Sequence, residues 1–422
     1  MAEERLRRGR VGVAFWGPTF RRVCMDVDTH PVVTRPSTGG RNGDGQDGAD
    51  MSGPEVSVVV CSYNRAERLA RCLEALGRQT FRDRMETIVV DDASTDGTAE
   101  VAAAFGVRLV RHRENGGPAA ARTSGARSAL APIVAFTDDD CVPAETWLEE
   151  LVGPYARPEV VGVGGAVEPL EVDSLARRYA AANNPAAPLE LELELSNSVV
   201  HRARLYARRN VRGVDGTKTR AVSSFVGANM SFRRDVLAAV GFFDSTVRLG
   251  EDEDVCRRIR RRFRDSELRF SSAALVAHDY DPRLRGTLAR GFAYGGASAL
   301  TFVKNEEQRP TVFPFPVAVA VAASVALGAR RPSWLAAAAV LPLVMFPRWT
   351  IEAVRRRRTE YVVFPYLQLC EEAAHDLGFV RRWATTACGE GGERDSVPSG
   401  RIPLAMGVAA LGGVSALMKW RT

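Results

Sequence analysis

The chain has 422 residues, 45% hydrophobic and 26% charged, which suits a largely globular protein of roughly two to three units at about 150 residues each. Its net charge of +6 is concentrated in arginine clusters such as 257–264 and Arg355–Arg358. Such clusters suit phosphates or an anionic membrane surface, and with no basic–aromatic module visible, nucleic acid is not an expected partner. The seven cysteines are odd in number and include no C-x-x-C pair, so they read as reduced thiols in a cytosolic compartment with no zinc site.

Residues 1–52 are rich in Arg, Gly, Asp, Thr and Pro without an apolar period, and are expected to be a disordered tail. Met1–Arg10 is charged and no adequate apolar run follows, so no signal peptide is expected, and Met51 is an alternative start. From Val56 the texture changes. VSVVV reads as a strand, CSYNR as a turn, and Ala66, Leu69, Leu73 and Leu76 recur at helical spacing. METIVVDDAST is a second strand, followed by a helix from Asp96–Gly97; VRLVRH is a third strand; NGGPAAARTSGARSAL is a glycine turn and helix; IVAFT is a fourth strand. This alternation predicts a parallel, doubly wound sheet within an α/β domain over 53–310. Val160–Val167, Ser224–Phe232 and Leu268–His278 read as further strands. The irregular stretch Leu170–Arg220 between the first two is expected to shape the acceptor side.

Beyond Arg309 come three apolar runs, Val312–Ala329, Trp334–Phe346 and Ile402–Met418. Each falls short of the roughly 20 residues that cross a bilayer comfortably, so buried helices are an alternative. Arg348, Arg355–Arg358 and the tryptophans Trp334, Trp349 and Trp420 lie near run ends, as interfacial residues do. The expectation is a membrane-associated hairpin at 311–350 with both ends cytosolic, a juxtamembrane region at 351–400 and a terminal apolar helix at 401–422. The protein is then placed at the cell membrane, with the α/β domain on the cytoplasmic side.

Three groups of acids carry the chemistry. The strand Ile133–Thr137 ends in Asp138, Asp139 and Asp140, which repel one another and call for a cation or strong donors. Ligands of open α/β sheets bind beyond the carboxyl ends of strands, and Mg²⁺ or Mn²⁺ holding a diphosphate fits there. Asp91–Asp92 end a neighbouring strand and should share that edge, accepting from a base N–H or a ribose hydroxyl; a turn or cap role for Asp92 is equally open. Gly116–Gly117 and Arg122 can place amides and a guanidinium near phosphate. In GEDEDVCRR, four acids open a helix, where the dipole alone favours them. Four exceed what capping needs, and one of Glu251, Asp252, Glu253 and Asp254 is a candidate for catalysis, since a carboxylate facing an acceptor can act as general base. His278, at the end of an apolar strand, is a candidate metal ligand beside Asp140.

VSVVVCSYNR, IVVDDASTDGT, ARTSGA, FTDDDCVP, FVGANMSFRRDVLAAVGFFD and GEDEDVCRRI, taken in this order from about Val56 to His278, resemble glycosyltransferase family 2. The resemblance implies a GT-A, Rossmann-like nucleotide-diphospho-sugar transferase fold and a Mg²⁺- or Mn²⁺-dependent enzyme. It places Ser62, Tyr63 and Asn64 in the nucleotide pocket and Asp91 near the base. Asp138 and Asp140 match the D-x-D positions serving ribose and metal, with Asp139 leaving the register open by one. Asp252 matches the acid that is the base in inverting members, with Asp254 as a rival. Cys61 stands where the family usually has proline. The implied partners are a nucleotide-sugar donor and a glycan or lipid-linked acceptor near the membrane. Two other readings are a sugar nucleotidyltransferase, which needs a Gly-rich basic loop after the first strand where CSYNR stands, and a non-catalytic scaffold, which the intact acids oppose.

Overall fold

Short β-branched runs separated by amphipathic helices fold here as a sheet with helices on both faces. The computed structural model describes residues 24–26 by their backbone, and residues 53–188, 191–194, 196, 198–213, 219–247, 249–304 and 313–387. The strands are β1 (Cys24–Asp26), β2 (Val56–Ser62), β3 (Met85–Asp91), β4 (Arg108–Arg111), β5 (Ile133–Asp138), β6 (Cys141–Pro143), β7 (Val160–Pro169), β8 (Arg220–Ala221), β9 (Asn229–Arg233) and β10 (Glu267–His278). Their order is β1-β4-β3-β2-β5-β9-β7-β10-β6, with β8 paired to β10. β1 lies inside the stretch expected to lack structure.

The first five strands in that order are mutually parallel, as the alternation predicts. The rest of the sheet is mixed. β9 runs antiparallel to both β5 and β7, and β6 runs antiparallel to β10. Direction leaves no mark on a strand's composition, so the reversal was not visible in the sequence. It matters for position: the start of β9 reaches the same sheet edge as the ends of β2, β3 and β5, with Thr137 opposite Asn229.

Eight helices belong to this α/β body: α1 (Ala66–Gly77), α2 (Thr98–Ala104), α3 (Gly117–Ser128), α4 (Trp147–Val152), α5 (Leu175–Asn183), α6 (Val199–Arg212), α7 (Arg234–Ala239) and α8 (Glu251–Arg262). Alternation along β2 sends Val58 and Val60 to one face, against Leu69, Leu73 and Trp147, and Val59 to the other, with Phe136, Phe232, Val255 and Ile259. Burial on both faces is what fixes the register of these strands.

Five more helices follow: α9 (Leu284–Lys304), α10 (Pro316–Gly328), α11 (Ser333–Met345), α12 (Pro347–Arg356) and α13 (Phe364–Ala387). α10 and α11 form the expected hairpin, but each has only 13 residues. At 1.5 Å per residue that is about 20 Å, against a hydrocarbon layer of about 30 Å. No single helix among the described residues is long and apolar enough to cross a membrane, and α11 and α12 meet at a bend of 67°. Arg348 and Trp349 are not interfacial flanks. They are buried with Tyr179, Phe346, Tyr361 and Phe364, and Trp349 Nε1 donates to Gln368 Oε1 at 2.7 Å. This cluster fastens the C-terminal helices to α5. The third apolar run, Ile402–Met418, lies outside the described residues.

α9 and α13 approach through glycines. A Cβ at Gly295 would stand 1.9 Å from the carbonyl oxygen of His375, and one at Gly378 would stand 2.0 Å from that of Phe292. Gly295→Ala must therefore push the two helices apart, and a loss of about 1–3 kcal/mol is expected in urea unfolding. Gly77→Ala, where nothing lies within 4 Å, should leave the midpoint unchanged or slightly raised.

Candidate active site

Parallel pairing sets the ends of β2, β3 and β5 side by side: Ser62 lies opposite Asp91, and Cys61 opposite Asp138. Antiparallel pairing of β10 with β6 sets His278 opposite Cys141, one residue beyond Asp140. A cleft of about 1130 Å³ opens on this edge. It is lined by Ser62, Tyr63, Arg122, Asp138, Asp139, Asp140, Glu251, Asp252 and His278. These nine residues, all singled out from the sequence, thus converge on one space.

Asn64 and Asp91 do not line it. Asn64 Oδ1 accepts from Thr95 N at 2.8 Å and its own amide donates to Ser94 Oγ at 2.9 Å, tying the turn after β2 to the turn after β3. Asp91 is fully buried and accepts from Ser94 N at 2.8 Å and Arg111 Nε at 3.0 Å. Its neighbour Asp92 is the one that lines the cleft. Asp92 Oδ1 accepts from Gly116 N at 2.9 Å and contacts His112 Nδ1 at 2.6 Å, and Oδ2 accepts from Gly117 N at 2.8 Å. The amides offered by sequence to a phosphate are therefore taken by a carboxylate that caps α3. Burial opposes ionisation of Asp92, but His112 and the two amides outweigh it and hold its pKa below the usual value.

The row Asp138–Asp140 is neutralised by arginines. Asp139 accepts from Ser62 Oγ at 2.7 Å and Arg65 Nη1 at 3.0 Å, and burial pushes it up to about 6 against the pull of Arg65. Asp140 accepts from Arg65 at 2.8 Å and Arg68 at 3.4 Å, and lies 3.4 Å from His278 Nε2. Arg122, buried under the cleft, joins Asp138 at 2.8 Å to Glu251. It links two acid clusters rather than standing free for phosphate. Sequence reading missed Arg65 and Arg68; their spacing of three residues with Arg71, one face of α1, was the available signal.

The two rival acids at the start of α8 lie in different surroundings. Asp254 is buried and bound by Arg257 Nη2 at 2.5 Å and Arg258 Nε at 2.7 Å, and does not line the cleft. Asp252 does. Its Oδ2 accepts from Gly227 N, just before β9, at 2.8 Å, and its Oδ1 from Glu253 N at 2.8 Å. Burial raises the pKa of Asp252 although Arg122 opposes this. Burial likewise pushes Glu251 up to about 7, against Arg122. A carboxylate whose proton affinity is raised and whose position is fixed by a backbone amide is suited to taking a proton.

Residues 57–241 match the family model described as Glycosyl transferase family 2. Over these residues the chain belongs to glycosyltransferase family 2. The chain is also 31% identical over 264 residues to the "Pre-mycofactocin glycosyltransferase" of Mycobacterium tuberculosis, covering 61% of this chain and 50% of that protein. It is 32% identical over 219 residues to the "Glucosyl-dolichyl phosphate glucuronosyltransferase" of Haloferax volcanii, covering 49% and 63%. The chain thus spans about half to two-thirds of the length of these two relatives. Among solved structures it is similar to a mannosyltransferase of Pyrobaculum calidifontis in complex with GDP-Man and Mn²⁺, at 19% identity and a TM-score of 0.47, covering 79% of this chain and 88% of that one.

Asp92→Asn removes the charge that holds the start of α3, and is expected to cost about 1–3 kcal/mol at neutral pH. The folded pKa is depressed, so this stability exists above the unfolded pKa and is lost as pH falls through the folded one. In denaturant unfolding, the gap between wild type and variant should close below about pH 4.

Proposed function

We propose that this chain transfers a sugar, with inversion, from a nucleotide-diphosphate sugar to an acceptor hydroxyl, with Asp252 as the base. The reading is carried by Asp252 sharing one cleft with Asp138–Asp140 while Gly227 N–H fixes its Oδ2 at 2.8 Å. The acceptor hydroxyl gives its proton to Asp252 as its oxygen attacks the anomeric carbon. The bond from that carbon to the diphosphate breaks, and its electron pair leaves with the nucleoside diphosphate. The raised proton affinity of Asp252 makes it a stronger base than an exposed aspartate. The buried Arg122 guanidinium, paired with Asp138 and Glu251, holds these acids together in the cleft. Ser62 and Tyr63, at the end of β2, line the donor half of the cleft.

The residues present fit a divalent cation, Mg²⁺ or Mn²⁺. Ligand atoms of Asp140, Cys141 and His278 lie within 4.8 Å of one another, and His278 Nδ1 is a buried nitrogen without a hydrogen-bond partner among the described residues. Burial keeps the Cys141 thiol protonated and a poor ligand, so Asp140 and His278 are the residues that would hold the ion. When bound, such an ion neutralises charge on the diphosphate.

A membrane-proximal or lipid-linked acceptor, and a place at the cytoplasmic side of the cell membrane, belong to the same proposal. Supporting it, Trp334, Leu335, Val340, Val344 and Met345 on α11 and Ile351 and Val354 on α12 are exposed beside the exposed Arg355–Arg358. Helices too short to span, with apolar and basic faces together, lie in the interface plane.

With a panel of UDP-, GDP- and dTDP-sugars, Mn²⁺ and membrane lipid extract, the purified chain should release nucleotide from one donor. Asp252→Asn should lower kcat about 10²–10⁴-fold with donor affinity retained, whereas Asp254→Asn should lower stability. A wild-type rate in Asp252→Asn overturns the assignment. Flotation should carry the chain with vesicles containing phosphatidylglycerol and less with neutral vesicles; Arg355–Arg358→Glu should abolish the difference.

A further inference from the structure

The Asp140 carboxylate is shared. Its Oδ2 accepts from Arg65 Nη1 at 2.8 Å and from Arg68 Nη1 at 3.4 Å, and its Oδ1 lies 3.4 Å from His278 Nε2. A divalent cation on Asp140 and His278 competes with these two guanidiniums for one acid, and positive charges so close together repel. For the ion to bind, each arginine needs a second acid to rest on.

Both have one. Arg65 Nη1 also donates to Asp139 Oδ1 at 3.0 Å, and Asp139 is pinned by Ser62 Oγ at 2.7 Å. Arg68 stands between two carboxylates: its Nη1 lies 3.4 Å from Asp140 Oδ2, and its Nη2 lies 3.5 Å from Asp279 Oδ2. Both contacts are long for charged partners and the side chain is 37% exposed, so the guanidinium can settle on either acid.

Asp279 is held still between them. It follows His278 at the end of β10, and its backbone N–H donates to the Asp140 carbonyl oxygen at 2.9 Å, which ties the two acids together through the main chain. Arg177 from α5 donates to Asp279 Oδ1 at 2.7 Å and, through Nε, to the Tyr280 carbonyl oxygen at 2.8 Å. Arg71, one turn on from Arg68 along α1, donates to Asp279 Oδ2 at 2.9 Å. Tyr280 lays its ring against the His278 imidazole, with centroids 4.3 Å apart. Of the three arginines on Asp279, Arg68 is the one that lines the cleft and reaches Asp140.

We propose that Asp279 is a positioning residue for the cation site, the acid that receives Arg68 when Asp140 is given over to a divalent cation. The assignment rests on the cation reading above and adds a residue to it. Asp279 acts through Arg68 rather than as a ligand. Outer carboxylates that hold the groups around a metal site tune its affinity in this way. In Asp279→Asn the Arg68 guanidinium has one anionic partner left, Asp140, and the ion must displace it from there.

The test titrates Mn²⁺ into the full chain, alone and with UDP or GDP, and reads the free ion by EPR, so that no turnover is needed. Asp279→Asn should weaken Mn²⁺ binding about tenfold. Arg68→Gln removes the competitor and should tighten binding about threefold, a change that a damaged fold does not produce. The double variant decides: in the Arg68→Gln background, Asp279→Asn should change Mn²⁺ affinity by no more than about twofold, because the two residues act through one contact. An equal loss in both backgrounds overturns the proposal, since Asp279 would then act by its charge alone. Wild-type Mn²⁺ affinity in Asp279→Asn also overturns it, and with a lowered Tm would show that Asp279 only fastens α1 and α5 to β10. If Asp279→Asn fails to fold, weaker Mn²⁺ binding by Arg68→Gln overturns the proposal instead. A wild-type chain that binds no Mn²⁺ under either condition overturns the cation reading and this inference with it, whereas wild-type binding with independent effects of the two substitutions overturns this inference and leaves that reading standing.

Discussion

Negative charge crowded at one sheet edge is the constraint from which the rest follows. Asp138, Asp139 and Asp140 end β5, and Glu251 and Asp252 open α8 beside them. Unscreened carboxylates at such separations repel by several kcal/mol in a partly desolvated site, on the order of 4 kcal/mol at 4 Å for an effective dielectric constant of 20. Arg122 answers this from below by joining Asp138 to Glu251, and Arg65 and Arg68 answer it from α1. The arginines are part of the same device as the acids. They offset the repulsion among acids gathered on one sheet edge.

The strand-ending acids were legible because an apolar run that stops in three aspartates leaves few alternatives. What the sequence did not disclose was which of two neighbours faces the cleft. Side chains alternate along a strand, so Asp91 and Asp92 take opposite sides, and a reading uncertain by one residue exchanges their roles. Asp252 and Asp254 pose the helical version of the problem: two positions apart means about 200° around the axis, so the two take different sides. Arg257 and Arg258 bind Asp254, and Asp252 lines the cleft. The reversal of β9 was equally hidden, because parallel and antiparallel strands of similar burial look alike in composition. Yet it is β9 that brings Gly227 to Asp252.

Tertiary packing overrode a local reading in the C-terminal helices. Arginine and tryptophan flanking an apolar run resemble a membrane boundary, but Arg348 and Trp349 instead meet Asn183 and Gln368, residues remote in sequence. The irregular stretch expected to shape the acceptor side supplies α5 and α6, which line the cleft together with α9 and α13. The C-terminal helices thus form one wall of the same space, and the glycines of α9 set how far that wall stands from its neighbour.

The position of β7 also bears on how the polypeptide matures. β7 spans Val160–Pro169, but its two ladder partners are β9 and β10, both later in the chain. During synthesis, β5 can join β2 while β7 still lacks any neighbour, its amides and carbonyls unmet until residues near 233 and then 278 have emerged. A ribosome must therefore add about sixty residues while an apolar, glycine-rich ribbon waits with both flanks open, and about a hundred before the second flank is covered. That interval, rather than the finished fold, is where self-association and chaperone capture would concentrate.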